Sequence, residues 1–122
     1  MAEKILNRKL THQEEELVNW LIKNGQNSNE SYLDQVNKLR VAGYCNCGCA
    51  SIDFLKECSS MNIISDYLFK DENNKETGIF LFAEDDKLAG LELYSLEAEY
   101  VPQKLPKTDW LYPVVFEKTK TD

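Results

Sequence analysis

Four cysteines, one histidine and a run of carboxylates are the side chains of this 122-residue chain whose types and spacing could do chemistry. The cysteines are Cys45, Cys47, Cys49 and Cys58, in the pattern C-x-C-x-C-x8-C. Structural zinc takes four ligands in a tetrahedron, commonly presented as paired C-x2–4-C units. Here the first three thiols are separated by single residues, which fits that spacing poorly. An extended C-x-C nevertheless puts two sulfurs on one face of a strand, a turn could swing the third inward, and Cys58 could close the set. One expectation is therefore a zinc site on Cys45, Cys47, Cys49 and Cys58. The preferred one is packing or turn structure, because free cysteine is among the most buried residue types. Redox or other thiol chemistry is the third, and disulfides are not expected in a reducing cytosol. His12 is the only histidine. It falls one residue after a helix cap, where a surface position is expected, and a general base would need a partner and a pocket. No P-loop, dinucleotide fingerprint, nucleophile elbow or two-histidine zinc motif occurs. No catalytic residue is assigned, no enzyme is expected, and zinc is the one cofactor considered.

The carboxylates carry more information. From Glu84 to Glu99 the chain has six acids (Glu84, Asp85, Asp86, Glu92, Glu97 and Glu99) and one base, Lys87, with Tyr94 and Tyr100 interleaved. Carboxylates beside tyrosines suit the clamping of a cationic partner. The expected contact set is Glu84, Asp85, Asp86, Glu92, Tyr94, Glu97 and Glu99. The bland alternative is a solubilising face. Over the whole chain 14 basic side chains stand against 21 acidic ones, a net charge of −7. Phosphate backbones repel such a chain, so DNA and RNA are excluded as expected partners. A basic protein is favoured, because opposite fields speed encounter.

These residues need elements to hold them. Thr11-His12-Gln13-Glu14 reads as a capping box opening a helix over 12–24, and Leu17, Val18, Trp20, Leu21 and Ile22 give it an apolar stripe. Gly25 reads as its left-handed stop. Ser28 or Asn29 caps a second helix over roughly 30–38, with Tyr32, Leu33, Val36 and Leu39 on one side. The two form a helical hairpin, preceded by a short arm over 1–10. Val41–Tyr44 and Ala50–Leu55 read as short strands joined by a tight reversal through the cysteines. Segment 59–70 reads as a short amphipathic helix or a covering loop. Gly78–Ala83 is continuously apolar, like a central strand covered on both faces. It turns through 84–87 into Leu88–Ser95, where Leu91 and Leu93 face away from Glu92 and Tyr94. The tail, with Pro102, Pro106 and Pro113, lies back over the core, and 114–116 adds an edge strand. The expected fold is a single α+β domain over 1–122: an N-terminal helical hairpin on a mainly antiparallel sheet of about four to five strands.

An apolar fraction of 43% and a charged fraction of 29% are ordinary for a globular protein. No apolar run is long enough to span a membrane, and residues 1–9 lack the apolar core of a secretory signal, so the expected compartment is the cytoplasm. Three blocks carry a family resemblance: Arg8-Lys9-Leu10-Thr11 with Glu14, Glu15 and Leu21, Gly43–Asp53 with its cysteines, and Lys87–Tyr94 followed by Leu105-Pro106. They resemble a group of small uncharacterised bacterial proteins with an Arg-x-Leu-Thr start, a Cys-x-Cys-Gly-Cys motif and a late hairpin. That resemblance carries no activity. In size, acidity and lack of catalytic motifs the chain is also similar in character to immunity proteins of contact-dependent inhibition systems. It implies a protein that occludes a basic toxin domain, plausibly a nuclease.

Overall fold

The computed structural model describes residues 7–44, 50–55, 57, 59–97 and 100–114. Among them one α-helix forms, and it starts where the sequence chemistry requires. The Thr11 hydroxyl accepts from the Glu14 amide at 3.1 Å, and the Glu14 carboxylate accepts from the Thr11 amide at 2.8 Å. Together they satisfy two amides that the first turn leaves open. The helix α1 spans His12–Lys23 and buries Leu17, Val18, Leu21 and Ile22. Arg8 braces the cap from outside, donating to both Glu14 oxygens at 2.9 Å and to the Tyr44 hydroxyl at 2.9 Å. Burial alone would raise the Glu14 carboxyl, but the Arg8 fork and the Thr11 amide outweigh it and hold Glu14 below its ordinary value.

The expected helical hairpin does not form. Glu30–Lys38 is a 3-10 segment, capped by the Asn29 side chain on the Ser31 amide and burying Tyr32 and Val36. Its Ser, Tyr, Asp, Val and Asn residues are weak α-formers, so packing rather than propensity holds it.

Sheet dominates instead, and this overturns the expectation of a helical hairpin on four to five strands. Arg8–Lys9 (β1) pairs with Arg40–Val41 (β2) in a two-stranded sheet. A larger antiparallel sheet holds Gly43–Tyr44 (β3), Ile52–Asp53 (β4), Asn62–Lys70 (β5), Glu76–Glu84 (β6), Lys87–Ser95 (β7) and Tyr112–Pro113 (β8). Its order is β3-β4-β7-β6-β5-β8. Segment 59–70 is thus neither helix nor covering loop, because β5 supplies a long strand within it. A bulge between Ile63 and Ser65 explains the misreading. It leaves two consecutive residues buried, Ile64 at 1% exposure and Ser65 at 0%, which breaks the two-residue alternation that marks a strand. The edge strand expected at 114–116 begins earlier, at Tyr112–Pro113 on β5; 115–116 lie outside the described residues. Within the arm expected at 1–10, residues 8 and 9 belong to β1.

One face of the large sheet carries the core. Ile64, Phe69, Ile79, Leu81, Ala83, Leu88, Leu91 and Leu93 meet Leu17, Val18, Leu21, Tyr32 and Val36 there. Trp110 of the 3-10 turn Thr108–Trp110 lies against Phe69, with ring centroids 6.4 Å apart. The described helical segments with substantial sheet contacts lie on this side, and on the opposite face of β6 Gly78 and Phe82 are buried as the sequence suggested while Phe80 and Glu84 are partly exposed.

Candidate functional site: the open face of the sheet

Alternation along the strands and the register across them fix what the second face presents. Three rows of side chains cross it: Leu68, Gly78 and Tyr94; then Asp66, Phe80 and Glu92; then Ile63, Phe82, Gly90 and Asp53. Two glycines make room for two rings. A Cβ at Gly78 would stand 2.0 Å from Cζ of Tyr94, and one at Gly90 would stand 2.5 Å from Cζ of Phe82. Each ring therefore occupies the space over the glycine opposite, an arrangement that also steadies the weakest strand positions. Phe80 joins them, 5.9 Å from Tyr94 and 5.8 Å from Phe82 between centroids. The result is an aromatic diagonal across β6 and β7.

Carboxylates flank that diagonal on both sides. Asp66 lies on the β5 side, where the Tyr94 hydroxyl donates to it at 3.5 Å. Glu92 and Asp53 lie on the β7–β4 side. Burial raises all three above the ordinary carboxylate range, and Asp53 pushes Glu92 further in the same direction. Burial likewise raises the Tyr94 phenol, with Asp66 adding to it. The ion pairs among the described residues, Arg8–Glu14, Lys75–Glu97 and Lys104–Glu72, include none of the three. The lysines whose register places them on this face, Lys70 and Lys87, stand at its two ends, opposite Glu76 and Glu84.

The connection from β4 to β5 crosses one end of the face. Glu84 holds it there: one of its oxygens accepts from the Ser59 amide at 3.2 Å, the Ser59 hydroxyl at 2.7 Å and the Ser60 hydroxyl at 3.3 Å. Beside this clamp Asp53, Ser59, Ser60, Met61, Phe82 and Glu92 line a shallow surface depression of about 270 Å³.

The contact set expected from sequence is thus only partly gathered. Glu92 and Tyr94 lie together on the open face, and Glu84 lies at its edge, engaged with the two serines. Asp85 and Asp86 form the two-residue turn between β6 and β7, both with positive φ (51° and 65°). That is a hairpin role which aspartate tolerates. The Asp86 carbonyl accepts from the Gln35 side chain at 2.8 Å. Glu97 sits at the opposite end of β7, accepting from the Glu76 amide at 3.2 Å and lying 4.0 Å from Lys75. Nine residues of strand, roughly 26–30 Å, separate that end from the Asp85–Asp86 turn. Glu99 lies outside the described residues. Asp53, Asp66, Phe80, Phe82 and Met61 were missed. Once 59–70 is read as a strand, Asp66 and Phe80 fall in one row with Glu92, so the signal lay in the pairing of β5.

Cys45, Cys47, Cys49 and Cys58 lie outside the described residues. Their flanks pair as expected of a reversal, Tyr44 with Ile52 and Gly43 with Asp53. Among the described residues no group of three or more His, Cys, Asp or Glu is placed to hold a metal. His12 is exposed in the first turn of α1. A larger cavity of about 450 Å³ under the tail is lined by Asp71, Tyr100, Val101, Leu105 and Trp110 among others, with Asp71 tied into its own hairpin loop and to the Tyr100 hydroxyl. Among the described residues no helix is long and apolar enough to cross a membrane.

No curated protein and no solved structure matches the chain. The likeness to immunity proteins therefore remains one of size and charge. A family model does match, over residues 7–101, which takes in everything from β1 through β7 and so the whole open face apart from the β8 edge. With 95 of its 122 residues covered, the chain belongs to the family of the domain of unknown function DUF6984.

Proposed function

We propose that this protein is a binding module that receives a basic protein on the open face of its large sheet, in the manner of an immunity protein that occludes a toxin's nuclease domain in the cytoplasm. The observation that supports the reading is the aromatic diagonal of Phe80, Phe82 and Tyr94 flanked by Asp53, Asp66 and Glu92. An apolar centre with charge at its margins is the anatomy of a protein interface. Three carboxylates lifted by burial gain most from a partner that brings positive charge. The net charge of −7 adds long-range attraction for such a partner. Occlusion requires no chemistry from the module.

The test is a titration calorimetry series against the purified product of a neighbouring gene that encodes a basic protein. Affinity is expected to fall roughly tenfold between about 0.1 and 0.5 M salt, because screening shortens the reach of the field. The double reversal Asp66→Lys with Glu92→Lys is expected to weaken binding at least about 100-fold, as two charge-assisted contacts become repulsions. Reversal of Asp85 and Asp86, in the turn, is expected to change it less than about threefold. Binding that ignores salt and survives the Asp66/Glu92 reversal contradicts the reading.

A further inference from the structure

We infer that two polar side chains, Gln26 on β5 and Ser51 on β7, plug the outer edges of the long strands, keep the chain from pairing with a second copy of itself, and so confine partner recognition to the open face. The last step rests on the binding reading above; the plugs themselves do not. Strand lengths create the need for them. The nine-residue β7 has the two-residue β4 on its outer side, and the nine-residue β5 has the two-residue β8. Along the rest of each edge, alternate residues turn their peptide N–H and C=O groups outward, a template for another chain's strand.

On β5 those groups are taken in order. β8 pairs Tyr112 with Leu68 and Pro113 with Tyr67. The next residue in that register would come opposite Asp66, and Gln26 already stands there. Its side-chain nitrogen donates to the Asp66 carbonyl at 3.0 Å, and its side-chain oxygen accepts from the Asp66 amide at 2.9 Å. A primary amide offers a donor and an acceptor side by side, so this one side chain replaces one residue of a missing strand. The Asn27 amide then takes the Ile64 carbonyl at 3.0 Å. On β7 a hydroxyl has the same part. β4 pairs with Gly90 and Leu91 and goes no further. Beyond it the Leu93 amide donates to Ser51 Oγ at 2.8 Å, and Ser51 Oγ donates to the Leu93 carbonyl at 3.4 Å. Ser51 is buried at 4% exposure, whereas Gln26 is exposed, so Gln26 is the plug whose loss opens an edge without disturbing the core. The edge it guards runs through Ile63, Ile64 and Tyr67, β-branched and aromatic residues that favour pairing. The strand that matches it is β5 of a second copy, set antiparallel across a two-fold axis.

The experiment combines amide hydrogen exchange with sedimentation velocity on the full chain, Gln26→Ala, Ser51→Ala and the control Gln13→Ala. The wild type is expected to sediment as a monomer from about 10 µM to about 500 µM. Gln26→Ala is expected to speed exchange of the Asp66 amide at least about tenfold and to give a sedimenting mass that rises with concentration. Ser51→Ala is expected to speed the Leu93 amide likewise, and Gln13→Ala to change neither property. A Gln26→Ala protein that stays monomeric throughout, or an Asp66 amide that exchanges at the wild-type rate, overturns the inference. Titration of Gln26→Ala with the basic partner separates this from the binding reading. Affinity within about twofold of wild type keeps the partner on the face. Affinity that rises several-fold puts the partner on the opened edge and overturns the confinement, while loss of the Asp66/Glu92 dependence is what removes the face reading itself.

Discussion

Replacing Gly25 with alanine is expected to destabilise the protein by roughly 3 kcal/mol, one of the larger effects available to a single methyl group here. The cause is not the left-handed backbone that a glycine after a helix suggests, because Gly25 does not occupy that region. It is a close approach. A Cβ at Gly25 would stand 2.6 Å from the Ile64 carbonyl, 2.7 Å from the Ser28 Cβ and 2.9 Å from the Leu21 carbonyl. Two of these atoms are backbone and cannot swing aside, so α1 or β5 must move. The segment after α1 seals the outer edge of β5. The Asn27 amide donates to the Ile64 carbonyl at 3.0 Å, the Gln26 side chain bonds both the amide and the carbonyl of Asp66, and the Tyr67 hydroxyl donates to the Asn24 carbonyl at 2.6 Å. Chemical denaturation of Gly25→Ala measures the loss, with Gly43→Ala as control. At Gly43 a Cβ would meet only an Asp53 oxygen at 3.8 Å, an ordinary contact, so the change is expected to stay within about 0.5 kcal/mol. Equal effects at the two glycines contradict the account. Opening the edge of β5 is also expected to promote aggregation of the Gly25 variant, since an unpaired strand edge templates further pairing.

The second large effect runs the other way. Asp53→Asn with Glu92→Gln is expected to raise stability at neutral pH while weakening partner affinity. The sign follows from linkage. Both carboxyls bind their proton more tightly in the folded state than their ordinary values of 3.8 and 4.5. Below those values both states are protonated and the fold has its full stability. As pH rises, the unfolded chain ionises first, so stability falls until the raised folded values are passed. The neutral isosteres lack that loss. Thermal melts of the two proteins are therefore expected to converge near pH 3.5 and to separate, variant above wild type, by pH 7. A variant less stable than wild type at pH 7 would show that these carboxylates serve the fold rather than a partner.

The sequence made some of this legible and hid the rest for identifiable reasons. The start of α1 was readable because a capping box is local: Thr11 and Glu14 are three residues apart and each satisfies the other's amide. The β6–β7 hairpin was readable because its strands are adjacent in sequence and its turn is two aspartates. β5 was not, because its bulge buries two consecutive residues, Ile64 and Ser65, and so interrupts the alternation of a strand. Losing β5 meant losing the rows of the open face, since Asp66 meets Glu92 only across Phe80 of β6. The acidic run over 84–99 was legible as a charge count. Its geometry was not, because a single hairpin spreads consecutive acids from the turn at Asp85 to the far end at Glu97.

The most direct measurement is hydroxyl-radical footprinting of the complex with the basic partner, which reads the two faces of the sheet against each other. Met61, Phe80 and Tyr94 report the open face, and Trp20 and Trp110 report the helix-covered side. The account predicts that the partner protects Met61, Phe80 and Tyr94 several-fold and leaves both tryptophans unchanged. Protection of Trp20 or Trp110, with the open-face residues oxidised as in the free protein, would contradict it.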